Sequence, residues 1–465
     1  MIYDLAIIGA GSGGLSVAAA AAQFGQKVIL FEKGKMGGDC LNYGCVPSKA
    51  LIAAAKQAHV FRTSGPYGIS AAEPKVDFKK VHAHIRKVIA AIEPNDSAVR
   101  FEKLGVKVVL SAAKFRDAKT LESGGGIFSA KRIVIATGSR PAVPAIPGLE
   151  TVSYFTNETI FDNTKLPKHL IIIGGGAIGM ELAQAHRRLG SQVTVIEAFA
   201  PLAKDDPELT ASVLESLQRD GVKILAHTAI KKISKSKAGI VIETEGHGKI
   251  TGSHLLVATG RAANVEGLNL EAAGVVYTAK GVTVDKGLRS SQKHIYAIGD
   301  VAGGLQFTHV ANYQAGLVIR NALFRLPVTN RTDIIPHVTF TDPELAQVGF
   351  TEAEAVKEFG PSVTVVRWPF HDNDRAQAEG KTAGLIKAVI GKRGRILGVG
   401  IVGANAGEII QPWIMAKTSG LKIRAIAGMI APYPTLGEIN RRVAVNYFAD
   451  FTSKPWVRRV IRLLS

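Results

Sequence analysis

The sequence predicts an α/β protein with two dinucleotide-binding domains of the Rossmann type and a C-terminal α+β domain. Two glycine-rich turns each follow a short apolar run and precede a helical stretch, which is the order strand, phosphate-binding turn and helix. From about residue 336 onward, short strands alternate with helical stretches and no such turn recurs. Because 465 residues exceed what one hydrophobic core usually holds, several domains are expected.

The first glycine-rich turn, GAGSGG, lies between an apolar run and an alanine-rich helical stretch. Gly9 lets the strand turn sharply, Gly11 lets backbone N–H groups reach a pyrophosphate, and Gly14 lets the helix pack closely on the strand. The N-terminus of the following helix favours anionic phosphates. The next apolar run ends at Glu32, which is placed to bind a ribose hydroxyl.

The second glycine-rich turn, GGGAIG, repeats this arrangement with Gly174, Gly176 and Gly179, and Glu197 stands where Glu32 stands in the first. Two copies, each with an acid at the same separation, make a purely structural loop a poor explanation. A carboxylate at Glu197 repels the 2′-phosphate of NADP, and the following segment AFAPLAK contains no arginine to attract it. The sequence therefore favours NADH over NADPH.

Two further segments, RIVIATGSRP and HLLVATGRAAN, each run from a strand into a turn of small residues. We assign Thr137, Gly138 and Gly260 in these turns to cofactor binding. Another strand, HIYAIGD, ends at Asp300. The sequence thus predicts that the first domain returns after the second has been inserted into it.

Composition limits the class of protein. No apolar run reaches the roughly 18 residues that span a bilayer, and the first residues enter a strand without a basic leader, so a secreted protein is not expected. Two cysteines cannot form a disulfide framework, and we expect a reducing cytoplasm. The net charge of +19 is compatible with an anionic partner or with a generally cationic surface. No nucleic-acid-binding signature is present, so no nucleic acid partner is expected.

Both cysteines lie in the segment GGDCLNYGCVPSKA, with four residues between Cys40 and Cys45. In an ideal helix they would be roughly 7.5 Å apart along the axis. A disulfide needs Cα atoms within about 7 Å, so a redox pair requires the chain to bend here. Gly44 is the expected place of that bend, and Pro47 suits the start of the next helix. The alternative is two buried, inert cysteines.

Together with the two glycine turns, GGDCLNYGCVPSK resembles the redox-active signature of the class I pyridine nucleotide-disulfide oxidoreductases. That family includes dihydrolipoamide dehydrogenase, glutathione reductase and mercuric reductase. The resemblance implies an FAD-binding domain, here residues 1–145 and 265–335, and an inserted NAD(P)-binding domain, residues 146–264. It also implies a C-terminal dimerisation domain, residues 336–465, and therefore a homodimer.

The resemblance implies a role for each residue around the cysteines. Cys45 would lie beside the flavin as the charge-transfer thiolate, and Cys40 would be the interchange thiol that attacks the substrate. Lys49 would approach the flavin and pair with Glu181 of the nicotinamide-side helix. Asp300 would hydrogen-bond the ribityl chain of FAD. Electrons would pass from the nicotinamide through the flavin to the disulfide and then to an external acceptor.

The C-terminal segment APYPTLGE departs from the family pattern. Members that oxidise dithiols carry a histidine at the position of Tyr433 and a glutamate at that of Glu438, and the partner subunit contributes both. Tyrosine, with an ordinary pKa near 10, is a poor base at neutral pH. His309 and His371 are the alternative bases. Mercuric reductases also carry tyrosine here but add a C-terminal cysteine pair, whereas no cysteine follows Cys45 in this chain.

The sequence therefore predicts a homodimeric FAD-dependent disulfide oxidoreductase that uses NADH and holds no resident metal. Its acceptor would be a disulfide, a dithiol or a thiol-bound metal, in the manner of dihydrolipoamide dehydrogenase. The alternative is a flavin reductase of metal ions, similar to mercuric reductase, or of quinones. A third reading is a redox sensor without enzymatic activity that associates with a membrane or nucleic acid.

The basic tail KPWVRRVIRLLS carries apolar residues at helical spacing, and three arginines lie between them. The apolar residues are Trp456, Val457, Val460, Ile461 and Leu464. A basic amphipathic helix of this kind can rest on anionic lipid, so weak peripheral contact with the inner membrane is one hypothesis. The sequence favours the other interpretation, a helix docked on its own dimerisation domain.

Overall fold

This computed structural model describes residues 1–449 and 455–464. Contacts between residues divide the chain into two compact units. The first unit comprises Met1–Gly174, Ala185–Ala198 and Thr228–Asn330. The second unit comprises Gly175–Gln184, Phe199–His227 and Arg331–Ser465. The boundaries of the three domains given above stay a prediction.

The strands give the order of the chain. They are β1 (Ile2–Ile8), β2 (Val28–Phe31), β3 (Lys107–Val109), β4 (Ala113–Asp117), β5 (Thr120–Ser123), β6 (Gly126–Ile135), β7 (Ser139–Pro141), β8 (His169–Ile173), β9 (Gln192–Ile196), β10 (Lys223–Leu225), β11 (Ile230–Ser236), β12 (Gly239–Thr244), β13 (Gly248–Gly252), β14 (His254–Val257), β15 (Arg261–Ala263), β16 (Tyr277–Thr278), β17 (Gly281–Val282), β18 (Ile295–Ala297), β19 (Pro336–Thr339), β20 (Glu344–Gly349), β21 (Thr364–Pro369), β22 (Leu385–Gly391) and β23 (Arg395–Gly403).

The helices lie between these strands. They are α1 (Ser12–Gln23), α2 (Gly38–Asn42), α3 (Cys45–Thr63), α4 (Phe78–Ile92), α5 (Ala98–Lys103), α6 (Ala177–Arg188), α7 (Pro207–Arg219), α8 (Thr308–Phe324), α9 (Glu352–Phe359), α10 (Asp374–Ala378), α11 (Ala406–Ile409), α12 (Gln411–Thr418), α13 (Ile423–Ala427), α14 (Glu438–Asn446) and α15 (Pro455–Leu464). None of the described helices is both long enough and apolar enough to cross a membrane.

The main sheet of the first unit has the order β3-β2-β1-β6-β5-β4, and β18 also pairs with β6. Strands β3, β2, β1 and β6 run parallel, as does β18 beside β6, whereas β4 and β5 are antiparallel. Alternate residues of β1 enter different cores. Leu5 and Ile7 pack in one core with residues of α1 and α8, and Ala6 and Ile8 pack in the other. Burial on both faces explains why residues 5–8 of β1 are continuously apolar.

The second dinucleotide-binding module repeats this pattern. Strands β9, β8 and β14 are parallel neighbours, with Ile172 of β8 opposite Val195 of β9 and Leu256 of β14. Helix α6 follows β8 after the glycine turn, and β9 ends one residue before Glu197. The predicted order of strand, glycine turn, helix and strand is therefore confirmed in both modules.

The second unit contains an antiparallel sheet of order β19-β20-β23-β22-β21. Its core includes residues of α11, α12 and α14. Trp413 is fully buried there, and its indole N–H donates to the Asn440 side chain at 2.8 Å. A buried indole normally requires such a partner. This arrangement confirms the predicted α+β fold for the C-terminal part of the chain.

Candidate active site

The two cysteines lie on either side of a break between two helices. Cys40 belongs to the short helix α2, and Cys45 is the first residue of α3. The break falls at Gly44, where a Cβ atom would lie 2.8 Å from a carboxylate oxygen of Asp39 and 3.1 Å from its carbonyl oxygen. Pro47 stands in the first turn of α3, where no intrahelical N–H bond is lost. The bend predicted from the cysteine spacing is thus present at Gly44.

The thiols of Cys40 and Cys45 are free and hydrogen-bonded to each other. Cys45 is exposed and Cys40 is half-buried. The Sγ atom of Cys45 also lies 3.3 Å from Oγ1 of Thr308, the first residue of α8. The first unit therefore brings together two thiols, a hydroxyl and two helix N-termini, those of α3 and α8.

The two thiols differ in acidity. The hydrogen bond from Cys40 lowers the pKa of the Cys45 thiol to about 6, and the Thr308 hydroxyl and the Lys49 charge act in the same direction. Cys45 is exposed as a residue, but protein atoms around its sulfur displace some water, and this desolvation and the Asp39 carboxylate oppose the shift. The same hydrogen bond, together with burial, raises the pKa of the Cys40 thiol far above its ordinary value. At neutral pH the reduced pair therefore carries its negative charge on Cys45.

The first glycine turn is shaped for close backbone approach. Gly9 has a φ of +105°, and a Cβ there would lie 2.4 Å from the Ala136 carbonyl oxygen. Gly11 caps α1, and a Cβ there would meet only Gly38, at 3.9 Å. A Cβ at Gly14 would lie 1.9 Å from the Gly9 carbonyl oxygen, so the helix and strand meet too closely for any side chain.

The acid of this module is held by the backbone. The Glu32 carboxylate accepts a hydrogen bond from the Ala10 N–H at 2.6 Å and another from the Gly34 N–H at 2.7 Å. These bonds fix the carboxylate beside the glycine turn. Its position fits the ribose-binding role that the sequence predicts.

The other first-unit positions lie around a second turn. Thr137 donates through its hydroxyl to the Asn264 carbonyl at 2.7 Å, and Gly138 has a φ of +69°. Gly260 accepts from the Ala142 N–H at 2.9 Å. The carboxylate of Asp300 accepts a hydrogen bond from the Ser139 hydroxyl, and burial raises the pKa of that carboxyl.

In the second module, Gly174 repeats the geometry of Gly9. Its φ is +111°, and a Cβ would lie 2.4 Å from the Ala258 carbonyl oxygen. A Cβ at Gly176 would meet nothing within 4 Å, and Gly179 lies in the first turn of α6. Glu197 is half-buried, and its carbonyl accepts from the Thr228 N–H at 2.9 Å.

Lys49 and Glu181 belong to different units, and their pairing stays a prediction. Lys49 lies on α3, one turn after Cys45, and its charge acts on that thiol. Glu181 is buried on α6, and its carboxylate accepts from the Phe340 N–H at 2.9 Å.

The C-terminal residues lie in the second unit. The Tyr433 hydroxyl donates to a carboxylate oxygen of Asp374 at 2.8 Å, which raises the pKa of that phenol although the side chain is 68% exposed. Glu438 is buried at the start of α14 and accepts from the Arg442 guanidinium at 2.9 Å. A phenol held neutral by a carboxylate is suited to donate a hydrogen bond and is unsuited to act as a base.

The two alternative bases have separate surroundings. His309 stacks on Phe307, with ring centroids 5.4 Å apart. His371 is exposed and lies 3.5 Å from the Asp372 carboxylate. Within the described part of the chain, no group of histidine, cysteine and acidic side chains is arranged to hold a metal ion.

Sequence reasoning missed several residues beside the thiols. Thr308 follows Asp300 by eight residues at the start of a helix, a placement that could have identified it. Asp39 directly precedes Cys40, and a carboxylate this close in sequence to a thiol could have been expected to affect its ionisation. The contacts that Arg261 and Asn157 make with Asp39 join distant parts of the chain and leave no sequence signal.

A cavity of about 350 Å³ opens beside Cys40. Its volume lies at the lower end of the range for small-molecule sites. Polar groups at its wall come from Ser12, Ser16, Asp96, Arg100, Thr308 and Asn312. Leu15, Leu41 and Ile92 contribute apolar surface. The cavity can therefore receive a small, partly apolar molecule next to the half-buried thiol.

Comparison with known proteins gives matches along nearly the whole chain. The family profile described as pyridine nucleotide-disulphide oxidoreductase matches residues 3–315, and the dimerisation domain of the same family matches residues 335–444. A mercuric reductase of Lysinibacillus sphaericus is 36% identical, with 96% of this chain and 83% of that protein covered. A dihydrolipoyl dehydrogenase of Geobacillus stearothermophilus is 35% identical, with 94% of each covered.

Two solved structures have a similar fold. The Cu(II) complex of the HOCl-induced flavoprotein disulfide reductase RclA from Escherichia coli has a TM-score of 0.86 and 28% identity, and covers 96% of this chain and 99% of that one. LpdA from Mycobacterium tuberculosis has a TM-score of 0.89 and 25% identity, and covers 96% of this chain and 100% of that one.

Proposed function

This chain belongs to the class I pyridine nucleotide-disulfide oxidoreductases, and from that premise we propose that Cys40 and Cys45 exchange electrons with an external disulfide or dithiol. The chain is an NAD(P)H-dependent, FAD-containing oxidoreductase that acts on sulfur groups. The observation that carries the proposal is the thiol pair, in which one sulfur is acidic and exposed while the other borders a cavity.

The residues of the first unit fit FAD. Gly9 forms the tight turn, and the backbone at Gly11 has room for a pyrophosphate. The Glu32 carboxylate is fixed for a ribose, and Asp300 is assigned to the ribityl chain. When bound, FAD supplies two-electron transfer between the nicotinamide and the sulfur pair. Lys49 adds a positive charge that favours an anionic sulfur at Cys45.

The thiol–disulfide exchange proceeds in two steps. The Cys40 sulfur attacks one sulfur of the acceptor disulfide, forms a mixed disulfide and releases the other sulfur as a thiol that takes up the Cys40 proton. The Cys45 thiolate then attacks the Cys40 sulfur, which restores the Cys40–Cys45 disulfide and releases the second acceptor thiolate. Because Cys45 is the acidic thiol, it is already ionised for the second step at neutral pH.

The cavity beside Cys40 is the proposed place of the acceptor. Its volume of about 350 Å³ suits a small disulfide better than a folded protein. Asp96 and Arg100 at the wall give it groups of both charge signs. NADH is the proposed electron donor because Glu197 follows β9 where a 2′-phosphate would meet a carboxylate.

The chain carries the dimerisation domain of its family, and we extend this to a homodimer with shared sites. In that dimer Tyr433 and Glu438 of each subunit would reach Cys40 of the partner. The neutral phenol of Tyr433 would then donate a hydrogen bond to the sulfur leaving Cys40. Because a two-fold axis relates the subunits, each active site would receive the same residues from the other subunit.

Single serine variants test the assignment. With FAD bound, Cys40→Ser is expected to abolish turnover of disulfides such as lipoamide while flavin content stays the same. Cys45→Ser is also expected to abolish turnover, because the mixed disulfide on Cys40 is not resolved. Retained lipoamide reduction by Cys40→Ser would show that the interchange assignment is wrong.

Reduction of a thiol-bound metal ion is the second candidate. An acidic, exposed thiol next to a second thiol is a suitable ligand pair for a soft ion. The mercuric reductase relatives and the Cu(II) complex of RclA support this candidate. NADH oxidation driven by Cu(II) or Hg(II) that disappears in the Cys40→Ser/Cys45→Ser variant would support it. If the double variant still oxidises NADH with these metal ions or with quinones, the chain is a flavin reductase that does not need the thiols.

The helix α15 supports a weaker proposal of contact with an anionic membrane surface. Of its predicted apolar face, Val457 is buried, whereas Trp456, Val460, Ile461 and Leu464 are exposed. The exposed side chains favour a surface contact over a helix docked by this face on its own chain. The full chain is expected to co-sediment with phosphatidylglycerol vesicles. Deletion of residues 454–465 is expected to abolish this binding. Equal binding by the two proteins would remove this proposal.

A further inference from the structure

Asp39, the residue before Cys40, forms an ion pair that the exchange chemistry does not use. A carboxylate oxygen of Asp39 lies 3.3 Å from the Arg261 guanidinium. The same guanidinium lies 3.5 Å from the Asp300 carboxylate, and it donates to the Ser139 hydroxyl at 2.6 Å and to the Ser139 carbonyl at 3.1 Å. Arg261 therefore bridges two carboxylates, one beside Cys40 on α2 and one in the predicted FAD site.

The bridge is sheltered from solvent. The Arg261 side chain is only 12% exposed, and the side chains of Asp39 and Asp300 are partly covered as well. Surface ion pairs contribute little because water and salt screen them, whereas a partly buried pair keeps more of its interaction. Solvent therefore screens the charges of Asp39 and Arg261 only in part, and both can influence the ionisation of nearby side chains.

Asp39 also shapes the loop between the cysteines. Its side chain passes under Gly44, which is why a Cβ at Gly44 would collide with it. The amide of the buried Asn157 donates to Asp39 at 3.1 Å and to the Tyr43 carbonyl at 3.3 Å. Asn157 and Arg261 therefore both hold the same carboxylate oxygen of Asp39, beside the break between α2 and α3.

The carboxylate of Asp39 raises the pKa of both thiols, since a nearby negative charge disfavours a thiolate. Because Arg261 is ion-paired with Asp39, we expect its positive charge to offset part of that effect. The pair therefore offers opposite electrostatic influences on the same sulfur atoms.

We propose that Asp39 and Arg261 are a pair of positioning residues that hold the bend between the two cysteines and set the charge balance at the thiols. The proposal rests on the function given above for Cys40 and Cys45. The contacts of Asp39 with Asn157 and Arg261 would hold the bend at Gly44. The opposite charges of Asp39 and Arg261 would set how readily the two thiols ionise. Neither residue needs to touch the acceptor.

The test is alkylation of Cys45 by iodoacetamide as a function of pH. The FAD-loaded protein is reduced with dithiothreitol, desalted and alkylated, and the modified sulfur is located by fragmentation of the tryptic peptide 36–49. Asp39→Asn keeps the shape of the side chain and removes its charge, so the midpoint is expected to fall by about half a pKa unit. Arg261→Gln is expected to raise the midpoint by a similar amount. This corresponds to an about threefold change in thiolate fraction below the midpoint.

The double variant Asp39→Asn/Arg261→Gln separates charge from a merely structural role. If the two charges oppose each other, its midpoint returns toward that of the wild type. Arg261→Lys, which keeps the charge, should also restore most of the wild-type midpoint. Arg140→Gln is the matched control, because Arg140 pairs with Glu266 at 2.7 Å on an exposed part of the first unit. Its midpoint should not change.

Unchanged midpoints in both single variants would overturn the proposal, as would equal shifts in the Arg140→Gln control. A double variant that moves as far as the larger single variant would also overturn it. Failure of the proposed function would give a different result. Acceptor turnover would then survive loss of the two thiols, while the pH midpoint of Cys45 alkylation would still shift in the Asp39 and Arg261 variants.

Discussion

The Cys45 sulfur lies 3.3 Å from the Thr308 hydroxyl, although 263 positions separate the two residues in the chain. The contact forms because the chain returns to the first unit at Thr228 and later places the N-terminus of α8 beside α3. A hydroxyl donor and a helix N-terminus both favour an anion at this sulfur. The redox pair is thus completed by a residue from the far end of the first unit.

Replacing Thr308 by valine is expected to raise the pKa of the Cys45 thiol above its value of about 6, because a hydrogen bond to the thiolate is lost. The folded pKa is lower than the ordinary one, so the thiolate is present above about pH 6 and is lost as the pH falls through that value. The pH profile of Cys45 alkylation should therefore move to higher pH in Thr308→Val. Thr308→Ser, which keeps the hydroxyl, is the control. An identical profile for the valine variant would exclude a role for this bond.

Replacing Gly14 by alanine is expected to abolish FAD binding by the folded protein. The added Cβ would lie 1.9 Å from the Gly9 carbonyl oxygen, so α1 must move away from the turn that is shaped for the pyrophosphate. Gly65→Ala is the matched control, because nothing lies within 4 Å of a Cβ at that position. Flavin absorbance per protein after gel filtration measures the effect. Full flavin content in Gly14→Ala would contradict the assignment of this turn.

Replacing Lys387 by alanine is expected to destabilise the second unit. Its ammonium group is buried, 2.9 Å from Asp206, 2.8 Å from Glu208 and 2.6 Å from Glu352. Removing the cation leaves a buried carboxylate without its charge partner, which typically costs about 3–5 kcal/mol of unfolding free energy. Lys381→Ala removes an exposed pair and should cost less than about 1 kcal/mol. Urea unfolding followed by fluorescence compares the two, and equal midpoints would refute the expectation.

Replacing Tyr433 by histidine is expected to improve dihydrolipoamide oxidation near neutral pH. The bond to Asp374 raises the pKa of the phenol, so Tyr433 does not ionise in the working range. A histidine with an ordinary pKa near 6.5 would supply the base that the chain lacks at this position. The gain should appear as a rise in kcat/KM above about pH 6.5 that the wild type does not show. An unchanged pH profile would indicate that Tyr433 does not reach the thiols.

Much of the fold was predictable because the signals are local. Apolar runs, glycine turns and the acids Glu32 and Glu197 lie close together in sequence, and each reflects a backbone requirement of the same module. The bend between Cys40 and Cys45 followed from helix geometry and the presence of Gly44. These features do not depend on how distant parts of the chain meet.

The surroundings of the thiols were less predictable because they depend on long-range contacts. Thr308, Asn157 and Arg261 reach the cysteine loop from three later segments. The position of Thr308 at a helix start after Asp300 was a local signal, whereas nothing near Asn157 or Arg261 in sequence marks them for that role. Asp39 could be seen in the motif, but its contacts with Asn157 and Arg261 could not be read from the sequence. Amphipathic spacing in α15 likewise predicted a helix and did not decide what covers its apolar face.

We propose that the two sulfurs exchange electrons with the nicotinamide through FAD. Counting free thiols in the denatured protein, before and after anaerobic treatment of the air-oxidised, FAD-loaded enzyme with excess NADH, tests it directly. We expect no reactive thiol before the treatment and two per chain afterwards, since Cys40 and Cys45 are the only cysteines. Bleaching of the flavin by NADH without the appearance of thiols would contradict it.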